Sequence, residues 1–176
     1  MKCRTFRQVL PMLTLVGSLF ALAPLVHAQP AAGIDFDTGS TTIILSSTNG
    51  APPDVLKSVT ATCRTNGFLW ATATAAFEAD TVGATAKKAS VVYSLEKGTA
   101  AIDPTTINIL EFFVPLSPSG SAGFASAVGS TMRVDSCTAG QTVTYNFTAR
   151  RQGLTAADKV QANRPKLVVT FFEQRI

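Results

Sequence analysis

Beyond residue 28 the chain has no histidine; the single one among its 176 residues is His27. That absence excludes Ser-His-Asp and Cys-His nucleophilic catalysis as ordinarily built, and with them the histidine-based zinc, copper and non-haem iron sites. No cofactor is expected. Cysteine is sparse, at three residues, and none stands in the CxxC spacing of a redox or metal centre. One tryptophan and two tyrosines are too few for the aromatic girdles of an outer-membrane barrel. Past the first 28 residues no segment approaches eighteen consecutive apolar side chains, so no membrane-spanning helix is expected there. The chemistry left to an enzyme is that of carboxylate, lysine or tyrosine, or of a hard cation held by oxygen ligands.

What is present begins with a leader. Lys2, Arg4 and Arg7 give a positive start, an apolar centre runs from Val9 to Leu22, and Val26-His27-Ala28 follows. This is the three-part pattern of a signal peptide over 1–28, with cleavage expected after Ala28, and it implies a secreted or periplasmic protein. The leader holds three of the fifteen basic residues and none of the eleven acidic ones, so the remainder is 12 to 11 and the formal charge falls from +4 to +1. The basic character of the whole chain therefore belongs mostly to the leader, and no nucleic-acid partner is expected.

With Cys3 removed, Cys63 and Cys137 are the remaining pair, each closing a strand-like run. Export compartments are oxidising, so a structural disulfide is expected. It would close a loop of about 75 residues, a constraint worth about 4 kcal/mol in the chain-entropy account. Met132 and Val134 share a strand parity that Cys137 does not. A bulge near Asp135-Ser136, or a strand ending just before the cysteine, would reconcile the two.

About 148 residues beyond the leader suffice for one domain with a real core. Threonine and valine are abundant, and short alternating runs recur between Gly, Pro, Asn and Asp. The pattern predicts an all-β fold: a single antiparallel β-sandwich, immunoglobulin-like in the broad sense, of about seven to nine strands over 41–176, after a loose segment at 29–40. Strands are expected at 41–48, 55–63, 68–78, 89–96, 107–116, 131–137, 141–150 and 166–175. Asn66-Gly67 suggests a tight hairpin returning the third strand against the second. Residues 117–129 suggest a linker or an edge strand around Phe124, and 151–165 a polar connection with one helical turn near 156–159.

The sharpest motif is Phe36-Asp37-Thr38-Gly39-Ser40, followed by Thr41-Thr42-Ile43-Ile44-Leu45. It resembles the active-site segment of pepsin-like and retropepsin-like aspartic proteases. The resemblance implies a carboxylate that activates water with a second aspartate, here by homodimerisation around Asp37. Asp35 and Asp37 before Gly39 also form a fragment of a calcium loop, without the glutamate that completes one.

Trp70, Tyr93 and Tyr145 raise the reading of a sugar-stacking platform, against which a tryptophan on a central strand reads first as core. Arg150 and Arg151, with Lys159, Arg164 and Lys166, concentrate positive charge, which reads first as a solvated loop and otherwise suggests an anionic partner such as a polysaccharide or a lipid headgroup. Asn146-Phe147-Thr148 matches an N-glycosylation acceptor, within a strand. Together these features predict an exported, non-catalytic binding or structural module, with a polysaccharide or another surface protein as partner. The candidate binding residues are Trp70, Tyr93, Arg150 and Arg151. The rival readings are a carboxylate hydrolase, either the aspartic protease or a glycosidase, a carbohydrate-binding module, and a surface-assembly subunit.

Overall fold

A computed structural model describes residues 41–46, 51–81, 87–99, 107–115, 123–152 and 159–174. The expected leader, the segment 29–40 and the whole Asp35–Ser40 motif lie outside the described residues. Within them the chain is all-β, with eight strands: β1 (Thr42–Ile44), β2 (Asp54–Thr62), β3 (Gly67–Thr81), β4 (Lys87–Lys97), β5 (Asn108–Val114), β6 (Gly123–Cys137), β7 (Thr142–Gln152) and β8 (Lys159–Glu173). They form two four-stranded sheets, β1-β8-β3-β6 and β2-β7-β4-β5. Every neighbouring pair is antiparallel. The pairing is nested: β4 with β5, β3 with β6, β2 with β7, β1 with β8, as in one long hairpin wound on itself, with β3–β8 and β4–β7 closing the two sheets.

The inner faces of both sheets share one hydrophobic cluster. On β3 the inward set is Leu69, Ala71, Ala73, Ala75, Phe77 and Ala79, mostly small, and the facing sheet supplies Tyr93, Leu95, Tyr145 and Phe147 to fill the space. The Phe77 and Tyr93 rings meet at 5.4 Å, and Phe147 stands edge-on to Tyr93 at 6.3 Å. Each such ring, taken out of water, stabilises the fold by about 1.5–3 kcal/mol. Gly129 on β6 has a steric reason to be glycine. A Cβ there would lie 2.8 Å from the Phe77 ring and 2.9 Å from that of Tyr93.

Several strand expectations shift. β2 and β3 are not a hairpin: they belong to different sheets, and residues 64–66 carry the chain across. Asn66 ties loops together instead, accepting from Ala139 N at 2.9 Å through its side chain and from Gln174 N at 3.0 Å through its carbonyl. Gly67 is needed because a Cβ would strike the Phe172 carbonyl and the Phe171 ring. β3 extends to Thr81 and β4 starts at Lys87, leaving less loop than expected. The segment around Phe124 belongs to β6, one strand of fifteen residues.

The polar stretch 159–165 is also strand. Val160, Ala162, Pro165 and Leu167 are buried, while Gln161, Asn163 and Arg164 are at least partly exposed. A register shift between Thr74 and Ala76 absorbs an extra residue there, with Arg164 at φ 47°. Residues 153–158, which include part of the expected helical turn, lie outside the described residues.

Candidate functional site

Cys63 directly follows β2 in one sheet, and Cys137 ends β6 in the other. Their disulfide joins the two sheets with Cα atoms 6.3 Å apart. Both cysteines are buried. The turn beyond holds them: Cys63 N donates to Gln141 O at 2.9 Å, and Gly140, at φ 78°, donates to Cys63 O at 2.7 Å. The β3–β6 register runs unbroken from Gly67–Cys137 to Thr81–Gly123, so there is no bulge at Asp135-Ser136. Cys137 is the last residue of the strand and points inward with Gly129, Arg133 and Asp135. The parity mismatch has another cause: Met132 and Val134 face out, 70% and 59% exposed.

Next to the disulfide lies a charged cluster that the sequence reading missed. Arg133 and Asp135, two apart on β6, face inward on the same side and are bonded through Nε to Oδ2 at 2.8 Å. From the facing sheet Tyr145 donates its hydroxyl to Oδ2 at 2.9 Å, and Lys97 Nζ approaches Oδ1 at 3.5 Å. Burial would raise the Asp135 pKa, but hydrogen bonds from Arg133 and Tyr145 outweigh it and hold the carboxyl below its ordinary range. Burial, reinforced by the bond to Asp135, pushes the Tyr145 hydroxyl well above ordinary tyrosine. The cluster keeps one carboxylate ionised and saturated with donors. That is the opposite of a general acid, which needs a raised pKa. Arg133-x-Asp135 was its only sequence signal, and an i, i+2 pair is a same-face pair only once the strand is known.

The sequence-derived binding residues do not converge. Trp70 lies on the outer face of β3, 43% exposed, so the core reading of it is overturned. It is on the outside because β3 alternates, and the inner parity belongs to Leu69 and Ala71. Tyr93 and Tyr145 are buried in the core between the sheets, so the three aromatics form no common platform. Arg150 pairs in register with Val92 and Arg151 with Val91, both in the sheet that lacks Trp70. Lys159, Arg164 and Lys166 are on β8 in the other sheet, so the five cations are divided between two sheets. Asn146 is buried and donates Nδ2–H to Gly98 O at 2.7 Å, and Thr148 beside it is fully buried. The glycosylation motif is thereby folded out of reach. Among the described residues no group of three or more His, Cys, Asp or Glu side chains could hold a metal, and no helix is long and apolar enough to cross a membrane.

What the structure does gather is the outer face of the first sheet. Phe68 and Trp70 on β3 lie in register with Phe172 and Thr170 on β8, and with Ser136 and Val134 on β6. The rings of Trp70 and Phe172 are 6.0 Å apart, tilted by 38°. Val134 and Met132 extend the apolar surface along β6 to Val128, which is 72% exposed. No charged or amide side chain is in register beside Trp70; its lateral neighbours are Val134 and Thr170. Toward the far end the same face turns polar. There Gln161 donates to Glu78 at 2.7 Å, and Thr42 to Asn163 at 2.7 Å, around a shallow cleft of about 400 Å³.

No family model matches the chain, and no curated protein matches it in sequence.

Proposed function

We propose that this is an exported, non-catalytic interaction module that binds another protein through the outer face of the sheet β1-β8-β3-β6. The fold read with it is a jelly-roll sandwich. The nested pairs β1–β8, β2–β7, β3–β6 and β4–β5 support that order over the immunoglobulin-like arrangement expected from the sequence. The export reading rests on the leader pattern at 1–28 and on the buried disulfide, a bond of oxidising compartments.

One observation carries the reading. Trp70, the only tryptophan, is 43% exposed and tilted against Phe172 on a sheet face that also exposes Phe68, Met132 and Val134. A contiguous apolar patch of this kind on a soluble domain marks an interaction surface, and tryptophan is the residue type most enriched where binding energy concentrates. The chemistry of the patch separates the possible partners. Sugar platforms set several hydrogen-bonding side chains around the stacking ring, whereas Trp70 has Thr170 alone of that kind, beside Val134, Phe68 and Phe172. Flanks that are mostly apolar fit an apolar protein surface.

The test is site-specific photocrosslinking of the full-length exported chain, with benzoylphenylalanine at position 70 or at position 60 on the exposed face of the other sheet. The expected result is a protein adduct of higher mass from position 70 and none from position 60. Absence of an adduct at position 70 overturns the reading.

A further inference from the structure

Among the described residues four strands stand at sheet edges, and three of them carry devices that discourage pairing with another chain. β1 has only three residues. β2 is interrupted by the register shift between Val55 and Lys57. β5 has seven residues, bears outward Glu111 in an ion pair with Lys88 at 2.7 Å, and is followed by Pro115. Short strands, bulges, charge and proline are the usual protections of an exposed edge. β6 is neither short nor bulged and holds no proline, and its only charged side chains, Arg133 and Asp135, are turned inward. It is fifteen residues long, its register against β3 has no shift, and among the described residues it pairs on one side only. β5 reaches it through a side-chain bond, Asn108 Nδ2 to Thr131 Oγ1 at 3.1 Å, with no ladder between the two.

The side chains of β6 point the same way. Its two charged residues, Arg133 and Asp135, face inward and bond each other. Its outward row is Phe124, Val128, Met132 and Val134, and the positions between are serine. A strand of about 50 Å thus offers a row of backbone donors and acceptors beside an apolar, uncharged row, with the Ser130 carbonyl taking the Tyr93 hydroxyl at 3.4 Å. Unpaired backbone of this kind is matched by an extended chain, and a neutral apolar row imposes no repulsion on an identical one.

From this we infer that β6 pairs antiparallel with β6 of a second copy, joining two four-stranded sheets into one of eight strands. Antiparallel self-pairing is two-fold symmetric and closes at the dimer. It also sets the Val128 and Met132 rows of the two copies side by side and places both Trp70 patches on one continuous face. The inference goes beyond the outer-face reading by adding an edge contact beside that face, and it rests on that reading only for the apolar row.

The experiment combines sedimentation equilibrium with amide hydrogen exchange of the oxidised exported protein, for wild type and for Val128→Lys/Met132→Lys. Both substitutions are at exposed positions, and a thermal melt of the variant checks that its fold is retained. The wild type is expected to dimerise, with exchange slowing in 123–137 as concentration rises. The lysine pair is expected to weaken the dimer about a hundredfold through like charges brought together and to abolish that slowing. A wild type that stays monomeric overturns the inference, and so does a dimer whose 123–137 amides exchange at one rate at every concentration. In either case an adduct from position 70 to a different protein leaves the outer-face reading standing, while a concentration-dependent dimer with slowed exchange in 123–137 and no such adduct removes that reading and leaves the β6 pairing standing.

Discussion

The Tyr145 hydroxyl donates to Oδ2 of Asp135 at 2.9 Å, and this bond crosses from β7 in one sheet to β6 in the other. Arg133 reaches the same oxygen at 2.8 Å, Lys97 approaches Oδ1 at 3.5 Å from β4, and the strand ends at Cys137, itself bonded to the facing sheet. One end of the fold is therefore fastened twice, covalently and by a saturated carboxylate. Asp135→Asn leaves the Arg133 charge uncompensated at a partly enclosed site and is expected to lower stability by about 2–3 kcal/mol, read as a shift in urea midpoint. Tyr145→Phe removes a single donor to a charged group and is expected to cost about 1.5–3 kcal/mol.

The same bonds set a pH dependence. The folded-state pKa of Asp135 is depressed, so its contribution is present above the ordinary carboxylate value of about 3.9 and is lost as pH falls through the lower folded value. Tyr145 is shifted upward, so its contribution is full below about 10 and declines as pH rises beyond that. Urea midpoints of wild type and Asp135→Asn should converge on acidification. Parallel curves down to the lowest pH would show that Asp135 does not supply the difference.

The disulfide provides a second measurement. Oxidised protein from the export compartment is expected to show no free thiol and to begin at Gln29, as established by intact mass. The double variant Cys63→Ser/Cys137→Ser is expected to lose about 2–4 kcal/mol, because its unfolded chain regains the freedom that the cross-link removes. Retention of residues 1–28 in the isolated protein would contradict the leader reading.

Gly129 tests the packing of the two sheets. Its missing side chain is the space into which the Phe77 and Tyr93 rings fit. Gly129→Ala is expected to cost about 1–3 kcal/mol by overpacking, and Gly129→Val more, since the nearest atoms belong to interlocked core rings. Near-ideal stability in the alanine variant would mean that the inner face of β6 sits farther from β4 than described.

How much of this was legible in the sequence depended on whether alternation was one-sided. On β7 the inward residues Val143, Tyr145, Phe147 and Ala149 are large or apolar and alternate with Thr and Asn, so the strand and its core face could be read directly, although Asn146 and Thr148 of the other parity are buried as well. β6 has the reverse alternation from Val128 to Asp135: Val128, Met132 and Val134 face out, while Gly129, Thr131, Arg133 and Asp135 face in. Period-two patterning identifies two faces without saying which is buried, and apolarity is the usual guide to the choice. Only the parity of Cys137 stood against that guide, and it pointed to the outward row now read as a contact surface. β3 is ambiguous for a related reason. Its large residues Phe68 and Trp70 are outside and its alanines inside, because the facing sheet supplies the bulk. The charged cluster needed residues from three strands, and no local spacing brings Lys97, Asp135 and Tyr145 together.

Trp70 gives the sharpest separation of surface from core. Were it a core residue, truncation to alanine would cost about 3–5 kcal/mol, the range for deleting a buried large aromatic. Its exposure and its place on the outer face predict a much smaller effect, within about 1 kcal/mol, most of it lost contact with Phe172. Phe77→Ala, which deletes a fully buried ring one strand-length away on the inner face, is the internal standard and should lose the full amount. Because Trp70 is the only tryptophan, its emission also reports the occupancy of the face. In dilute protein it should be solvent-exposed and readily quenched by acrylamide. When a bound protein covers the outer face it should shift to the blue and resist quenching, whereas edge pairing through β6 alone leaves it on the open face. Equal loss of stability in Trp70→Ala and Phe77→Ala, with blue-shifted, quencher-resistant emission already in dilute protein, would return Trp70 to the core and remove the interaction surface with it.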